Sequence, residues 1–238
     1  MLTITPSVAS ANQLYLADEM ASFSAETPLH VDIEDGNLVS NITFGMRTIR
    51  SLAAAFSNPL DYHVLATRPS DYYADLAKTN ARYVIVPFEA LKEPMCDLDM
   101  IRDLGMKPAL SIEMHTPLSI LEAFADEVSC ILLSTYGSSA GGMNGLGFRR
   151  NSLARIRQAR AIMPPDTTII VDGGIGLEEL RLCYEAGADT AVLGRLLFPE
   201  EAPEEGGVKR VLLPRERTRT PAELMEQILR EYNGGAAQ

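Results

Sequence analysis

Short, almost continuously apolar runs alternate along the chain with longer segments in which apolar residues recur every three or four positions. The apolar runs are LTITP near residue 2, PLHVDIE near 28, LDYHVLA near 60, RYVIVPF near 82, KPALSIE near 107, VSCILLS near 128, TTIIVDG near 167 and DTAVLG near 189. Their shortness and their valine, isoleucine and leucine content predict strands of a parallel sheet covered by helices. NQLYLADEMASF, GMRTIRSLAAAF, DYYADLAKTN, CDLDMIRDLG, LSILEAFADE, SLARIRQARAIM and LEELRLCYEAG lie between or after them and have helical period or composition. Eight strand–helix units in 238 residues predict an α/β fold of the closed (β/α)8 TIM-barrel type. An open doubly wound sheet would need a glycine fingerprint opening its first helix, and PSVASANQ has no glycine. Glycines follow the seventh and eighth strands instead, in VDGGIG and at Gly194, where barrels often hold phosphate on backbone N–H groups.

One stretch breaks the alternation. Residues 199–221, PEEAPEEGGVKRVLLPRERTRTP, have no helical period and are expected to form a loop or arm inserted into a single barrel domain spanning 1–238. A last helix, PAELMEQILREY, follows, with Thr220 before Pro221 as its cap and first turn. The tail NGGAAQ is expected to fray.

Composition narrows the function classes. A hydrophobic content of 46% supports a sizeable core, and charged residues at 22% argue against disorder. The net charge of −11 excludes nonspecific binding to nucleic acid or anionic membrane, which depends on lysine and arginine neutralising phosphates. A small anionic substrate stays compatible, because a local pocket of N–H groups outweighs the overall sign. The first twenty residues lack a basic region followed by an apolar run, and no stretch has the length of a membrane span, so a cytoplasmic protein is expected. Cys96, Cys130 and Cys183 have no CxxC spacing and read as reduced thiols.

The candidate chemistry sits at the carboxyl ends of three predicted strands: His30 and Asp32 in LHVDIEDG, His63 in LDYHVL, and Asp172 in TTIIVDGGI. Two imidazoles and two carboxylates are a ligand set for one divalent metal ion, zinc, iron, manganese or cobalt, and the two aspartates are also a pair of acid/base groups. A single strand histidine is more often a hydrogen-bonded core residue. Here, two of only three histidines fall at matching strand ends, which favours metal binding. Glu34 shares the parity of His30 and Asp32 and should point into the same mouth. Asp35 with Gly36 reads as turn chemistry, and His115 as a loop residue at the end of the fifth strand.

TPSVASAN, LHVDIEDGNLVSNITFG, DYHVLATRP, VDGGI and AGADTAVLGRLLF resemble, in order and spacing, the motifs of the ribulose-phosphate 3-epimerase family, over residues 2 to 198. The resemblance implies a (β/α)8 barrel, a divalent metal on His30, Asp32, His63 and Asp172, and epimerisation of a phosphorylated ketose at the carbon next to its carbonyl. It also implies a substrate contact at Ser7 and a homo-oligomer. Phosphate is expected on the glycine-rich loops after strands six, seven and eight, at Gly141, Gly142, Gly173, Gly174, Gly194 and Arg195. Glu34, Leu65 and Ser134 stand where the family usually has methionines beside the reacting carbons, and the sixth loop, TYGSSAGGMNGLGF, is longer than the family's. The changed pocket implies a substrate other than ribulose 5-phosphate. It also leaves two alternatives, a catalytically silent sugar-phosphate-binding or regulatory protein, and a phosphate-barrel lyase or decarboxylase. The lyase sites usually pair lysine with aspartate, and no lysine stands at the metal-bearing strand ends.

Overall fold

Each of the eight apolar runs forms a strand in the computed structural model, which describes residues 2–136, 147–201 and 210–234. They are β1 (Thr3–Pro6), β2 (Leu29–Glu34), β3 (Leu60–Leu65), β4 (Ala81–Pro87), β5 (Lys107–Ile112), β6 (Cys130–Ser134), β7 (Thr168–Asp172) and β8 (Thr190–Leu193). The sheet order is β1-β8-β7-β6-β5-β4-β3-β2, with every pairing parallel. Between β1 and β2 the ring is joined by one isolated parallel bridge, Ser7 to His30. The architecture is therefore the TIM barrel expected from the alternation.

The period of two along each strand separates two cores. Ile85, Ala109, Cys130, Leu132, Ile170 and Val192 point inward and pack together as the barrel's interior. Their neighbours in sequence, such as Val84, Val86, Ile131, Ile169 and Val171, point outward under the helices. A charged group also lies inside. Asp61 on β3 is fully buried and takes a fork from Arg82, Nε donating to Oδ1 at 2.7 Å and Nη2 to Oδ2. Arg82 also lies over the Tyr83 ring, 5.0 Å from its centroid.

The outer layer contains α1 (Leu16–Met20), α2 (Met46–Ala55), α3 (Ser70–Leu76), α4 (Pro94–Asp103), α5 (Ser152–Ile162), α6 (Leu177–Ala186) and α7 (Pro221–Gly234). Two segments expected as full helices differ. NQLYLADEMASF yields only a 3₁₀ turn and the five-residue α1. LSILEAFADE, preceded by Pro117, forms a 3₁₀ helix over Leu118–Ala123 rather than an α-helix. Its buried residues, Leu118 and Leu121, are three apart, and in a 3₁₀ helix such positions eclipse on one face, so both enter the core together.

The arm's described ends form a short antiparallel pair, β9 (Glu200–Glu201) with β10 (Arg210–Val211). Asn12 Nδ2 donates to Val211 O at 3.1 Å, which holds the pair beside the loop after β1. The arm is then fixed by a buried ion pair, Arg217 Nη1 and Nη2 reaching Glu19 Oε2 and Oε1 of α1, both at 2.7 Å. The α7 cap is reciprocal, as Thr220 before Pro221 predicts: Thr220 N donates to Glu223 Oε2 at 2.8 Å, and Glu223 N to Thr220 Oγ1 at 3.2 Å. Cys130 and Cys183 are buried free thiols and Cys96 an exposed one. Among the described residues no helix is long and apolar enough to cross a membrane.

Candidate active site

The carboxyl ends of the strands open into a cavity of about 510 Å³. Register brings its chemistry together. Asp32 pairs with His63 across β2 and β3, Ser134 with Asp172 across β6 and β7, and the bridge at the seam sets Ser7 beside His30. One donor atom from each of His30, Asp32, His63 and Asp172 lies within 4.8 Å of the other three. His30 Nε2 is 3.1 Å from Asp32 Oδ1 and 4.0 Å from Asp172 Oδ2, and His63 Nδ1 is 3.3 Å from Asp32 Oδ1. The imidazoles are buried beneath the cavity, while the carboxylates keep 13% and 22% of their side-chain surface and line it.

A second layer holds the donors in place. Ser111 Oγ lies 3.0 Å from His63 Nε2, so one ring nitrogen is engaged and Nδ1 faces Asp32. Ser7 Oγ donates to Asp32 Oδ2 at 3.4 Å, and Thr43 Oγ1 donates to Asp32 O at 2.5 Å. His30 Nδ1 is buried and makes no hydrogen bond among the described residues, so its ring is oriented by the carboxylate side alone.

The electrostatics are those of a crowded site in which imidazoles and carboxylates act on one another. Burial would lower the His30 pKa, but the Asp32 and Asp172 carboxylates outweigh it and push it up to about 9. Burial would raise Asp32, and His30 and His63 reverse that and hold it below the usual carboxylate range. Burial pushes Asp172 up to about 6, with Asp32 and Glu113 adding to the rise against the two histidines. The donor set fits a divalent ion: two imidazoles and two carboxylates, converging and partly open on one side, are suited to a cation that would take the place of the His30 proton between the aspartates.

The other sequence candidates fall around this cluster. Ser7, Glu34, Gly173, Gly174, Gly194 and Arg195 all line the cavity, and Arg195 is otherwise exposed. Gly141 and Gly142 lie outside the described residues. Glu34 does enter the mouth and has a partner, Asn41 Nδ2 donating to its Oε2 at 2.5 Å. Burial raises the Glu34 pKa to about 7, with Asp32 adding to the effect. Leu65 lines the cavity, whereas Ser134 is buried, does not line it, and donates to Glu113 Oε1 at 3.1 Å. Asp35 is the turn residue expected, accepting from Asn37 N, Leu38 N and Thr67 N at 2.8 to 2.9 Å. His115 is exposed and does not line the cavity, and neither does any lysine among the described residues.

Sequence reasoning missed Asn41, Ser111, Glu113 and Tyr136. Ser111 was signalled by its inward parity with Ala109 on β5. Asn41 sits in a loop seven residues beyond Glu34, and nothing local marks it.

The family model described as "Ribulose-phosphate 3 epimerase family" matches residues 3–198. Ribulose-phosphate 3-epimerase of Bacillus subtilis is 28% identical over 204 residues, covering 83% of this chain and 93% of that protein. The Mycobacterium tuberculosis H37Rv protein of the same name is 31% identical over 203 residues, covering 84% and 87%. Among solved structures, orotidine 5'-phosphate decarboxylase from Pyrococcus horikoshii superposes with a TM-score of 0.63 at 15% identity, covering 98% of this chain and 100% of that one. A mutant tryptophan synthase alpha-subunit from Pyrococcus furiosus gives 0.64 at 12% identity over 98% and 97%. At such low identity these two structures speak for the fold alone.

Proposed function

The chain belongs to the ribulose-phosphate 3-epimerase family, and from that premise we propose that it is a metal-dependent isomerase inverting the carbon next to the carbonyl of a pentulose or hexulose phosphate. The observation that supports the reading most is the convergence of His30, Asp32, His63 and Asp172 at the barrel mouth. When bound there, a divalent ion supplies a Lewis acid for the negative charge that develops on the substrate oxygens as the proton leaves. Asp32 on β2 and Asp172 on β7 take the two faces of the planar enediolate. One removes the proton and the other returns it from the opposite side, which inverts the centre.

His30 and His63 complete the ligand set, and Ser111 keeps the His63 ring in orientation. The substrate's phosphate is held by backbone N–H groups at Gly173, Gly174 and Gly194, by the Arg195 guanidinium, and by Gly141 and Gly142, which lie outside the described residues. Ser7 and Glu34 contact the sugar. Zinc, iron(II), manganese and cobalt all suit the donors. The same reading has the enzyme act as a homo-oligomer in the cytoplasm.

The test is a panel of ketose phosphates incubated with the purified protein in heavy water. Deuterium should enter at the carbon beside the carbonyl, stop entering after chelation, and resume when one of the four metals is restored. Failure of every ketose phosphate in the panel to exchange, with metal present, would overturn the proposal.

A further inference from the structure

Tyr136 stands two residues beyond β6 and lines the cavity together with Asp172, Gly173 and Gly174. Its ring lies against the backbone of Gly173. A Cβ at that position would stand 1.8 Å from the Tyr136 Cδ1 and 2.6 Å from its Cε1, so the glycine, at a φ of 117°, is what admits the ring. The side chain therefore forms part of the cavity wall at Gly173, the residue that follows Asp172 and one of those assigned to phosphate. Burial pushes the phenol's pKa up, and the Asp172, Glu113, Asp32 and Glu34 carboxylates push it further, so it remains a neutral O–H donor in a mouth dominated by acceptors.

We propose that Tyr136 is a specificity-determining substrate contact, its O–H donating to a hydroxyl on the sugar carbon that lies between the reacting centre and the phosphate. The proposal rests on the ketose-phosphate reading above. A phosphorylated ketose anchored at both ends has to carry its intermediate carbons past this ring, and the ring offers one flat apolar face and one donor. A hydroxyl there is recognised, and its absence leaves the phenol without a ligand partner. In a pentulose 5-phosphate the carbon concerned is C4.

The test compares wild type and Tyr136→Phe on a pentulose 5-phosphate and on its 4-deoxy analogue, by kcat/KM and by calorimetric Kd. Phenylalanine keeps the ring on Gly173 and removes only the donor. Loss of one such hydrogen bond should lower kcat/KM for the full sugar by about tenfold. The 4-deoxy analogue should already sit near that lower level with wild type and be unchanged by the substitution. An equal loss on both sugars, or no loss on either, overturns the proposal. If the sugars bind without turnover, the epimerase reading fails while the Kd values still decide the Tyr136 contact. If neither binds, both fail.

Discussion

Two sets of carboxylates, one enclosed and one half-buried, share this barrel and are treated in different ways. Below the mouth, Asp61 is completely enclosed and receives both arms of the Arg82 guanidinium, a permanent cation on the neighbouring strand. At the mouth, Asp32 and Asp172 converge with the His30 and His63 imidazoles, and Ser7 donates to Asp32. An unpaired buried charge costs several kcal/mol, so the first arrangement is electrically complete from the chain alone. The second rests on a titratable imidazole, His30, rather than on a guanidinium. The contrast separates a carboxylate closed off by a guanidinium from a pair that opens onto the cavity.

The sharpest way to test the contrast is to remove charge at the mouth. Asp32→Asn and Asp172→Asn should each lower epimerisation by about 10³-fold, the scale of losing a positioned acid or base, with a smaller cost in stability than unpairing Asp61. Near wild-type turnover in either variant would end the two-carboxylate scheme. Removing charge below the mouth should do the reverse. Arg82→Met leaves Asp61 buried and unpaired and should cost about 3–5 kcal/mol in urea unfolding, with Arg82→Met/Asp61→Leu recovering most of it. If the single variant unfolds like wild type, the interior pair is not structural and the contrast collapses.

A smaller effect comes from completing the mouth. A divalent ion at a hundred times its Kd should stabilise the wild type by about 2.7 kcal/mol, visible as a concentration-dependent rise in Tm. His30→Ala/His63→Ala should show no such rise, and an equal rise in that variant would locate the ion elsewhere. The smallest effect is expected at Glu34, which the Asn41 hydrogen bond holds inside the cavity. Ribulose 5-phosphate should not be the preferred sugar of the wild type, and Glu34→Met should move the ranking of kcat/KM toward it by about tenfold. A ranking headed by ribulose 5-phosphate and unaffected by the substitution would show that this wall has no bearing on choice of substrate.

The strands were legible because a parallel strand covered on both faces is apolar nearly throughout, and three of the four donors because alternation along β2 and β3 puts His30, Asp32 and His63 on one side, with Asp172 marked by its place at the end of β7. What could not be read depends on distance along the chain or on backbone type. Arg217 and Glu19 meet across 198 residues, and neither sits in a local pattern that names the other. Leu118 and Leu121 fit an α-helix as well as the 3₁₀ helix they form, since a spacing of three is shared by both. Asn41 gained its meaning only when the loop after β2 folded back onto Glu34.

The joint between β1 and β2 is bridged once, by Ser7 and His30, where every other neighbouring pair of strands is laddered. A hoop opens first at its thinnest fastening, and here that fastening consists of two residues from the candidate site. Breathing of the barrel and disassembly of its chemistry thus become a single motion, in which Ser7 leaves Asp32 as the strands part. Catalytic competence should therefore fade under mild denaturant ahead of the loss of helix and sheet signal, and amide exchange along this seam should report the state of the site more directly than any measure of the whole fold.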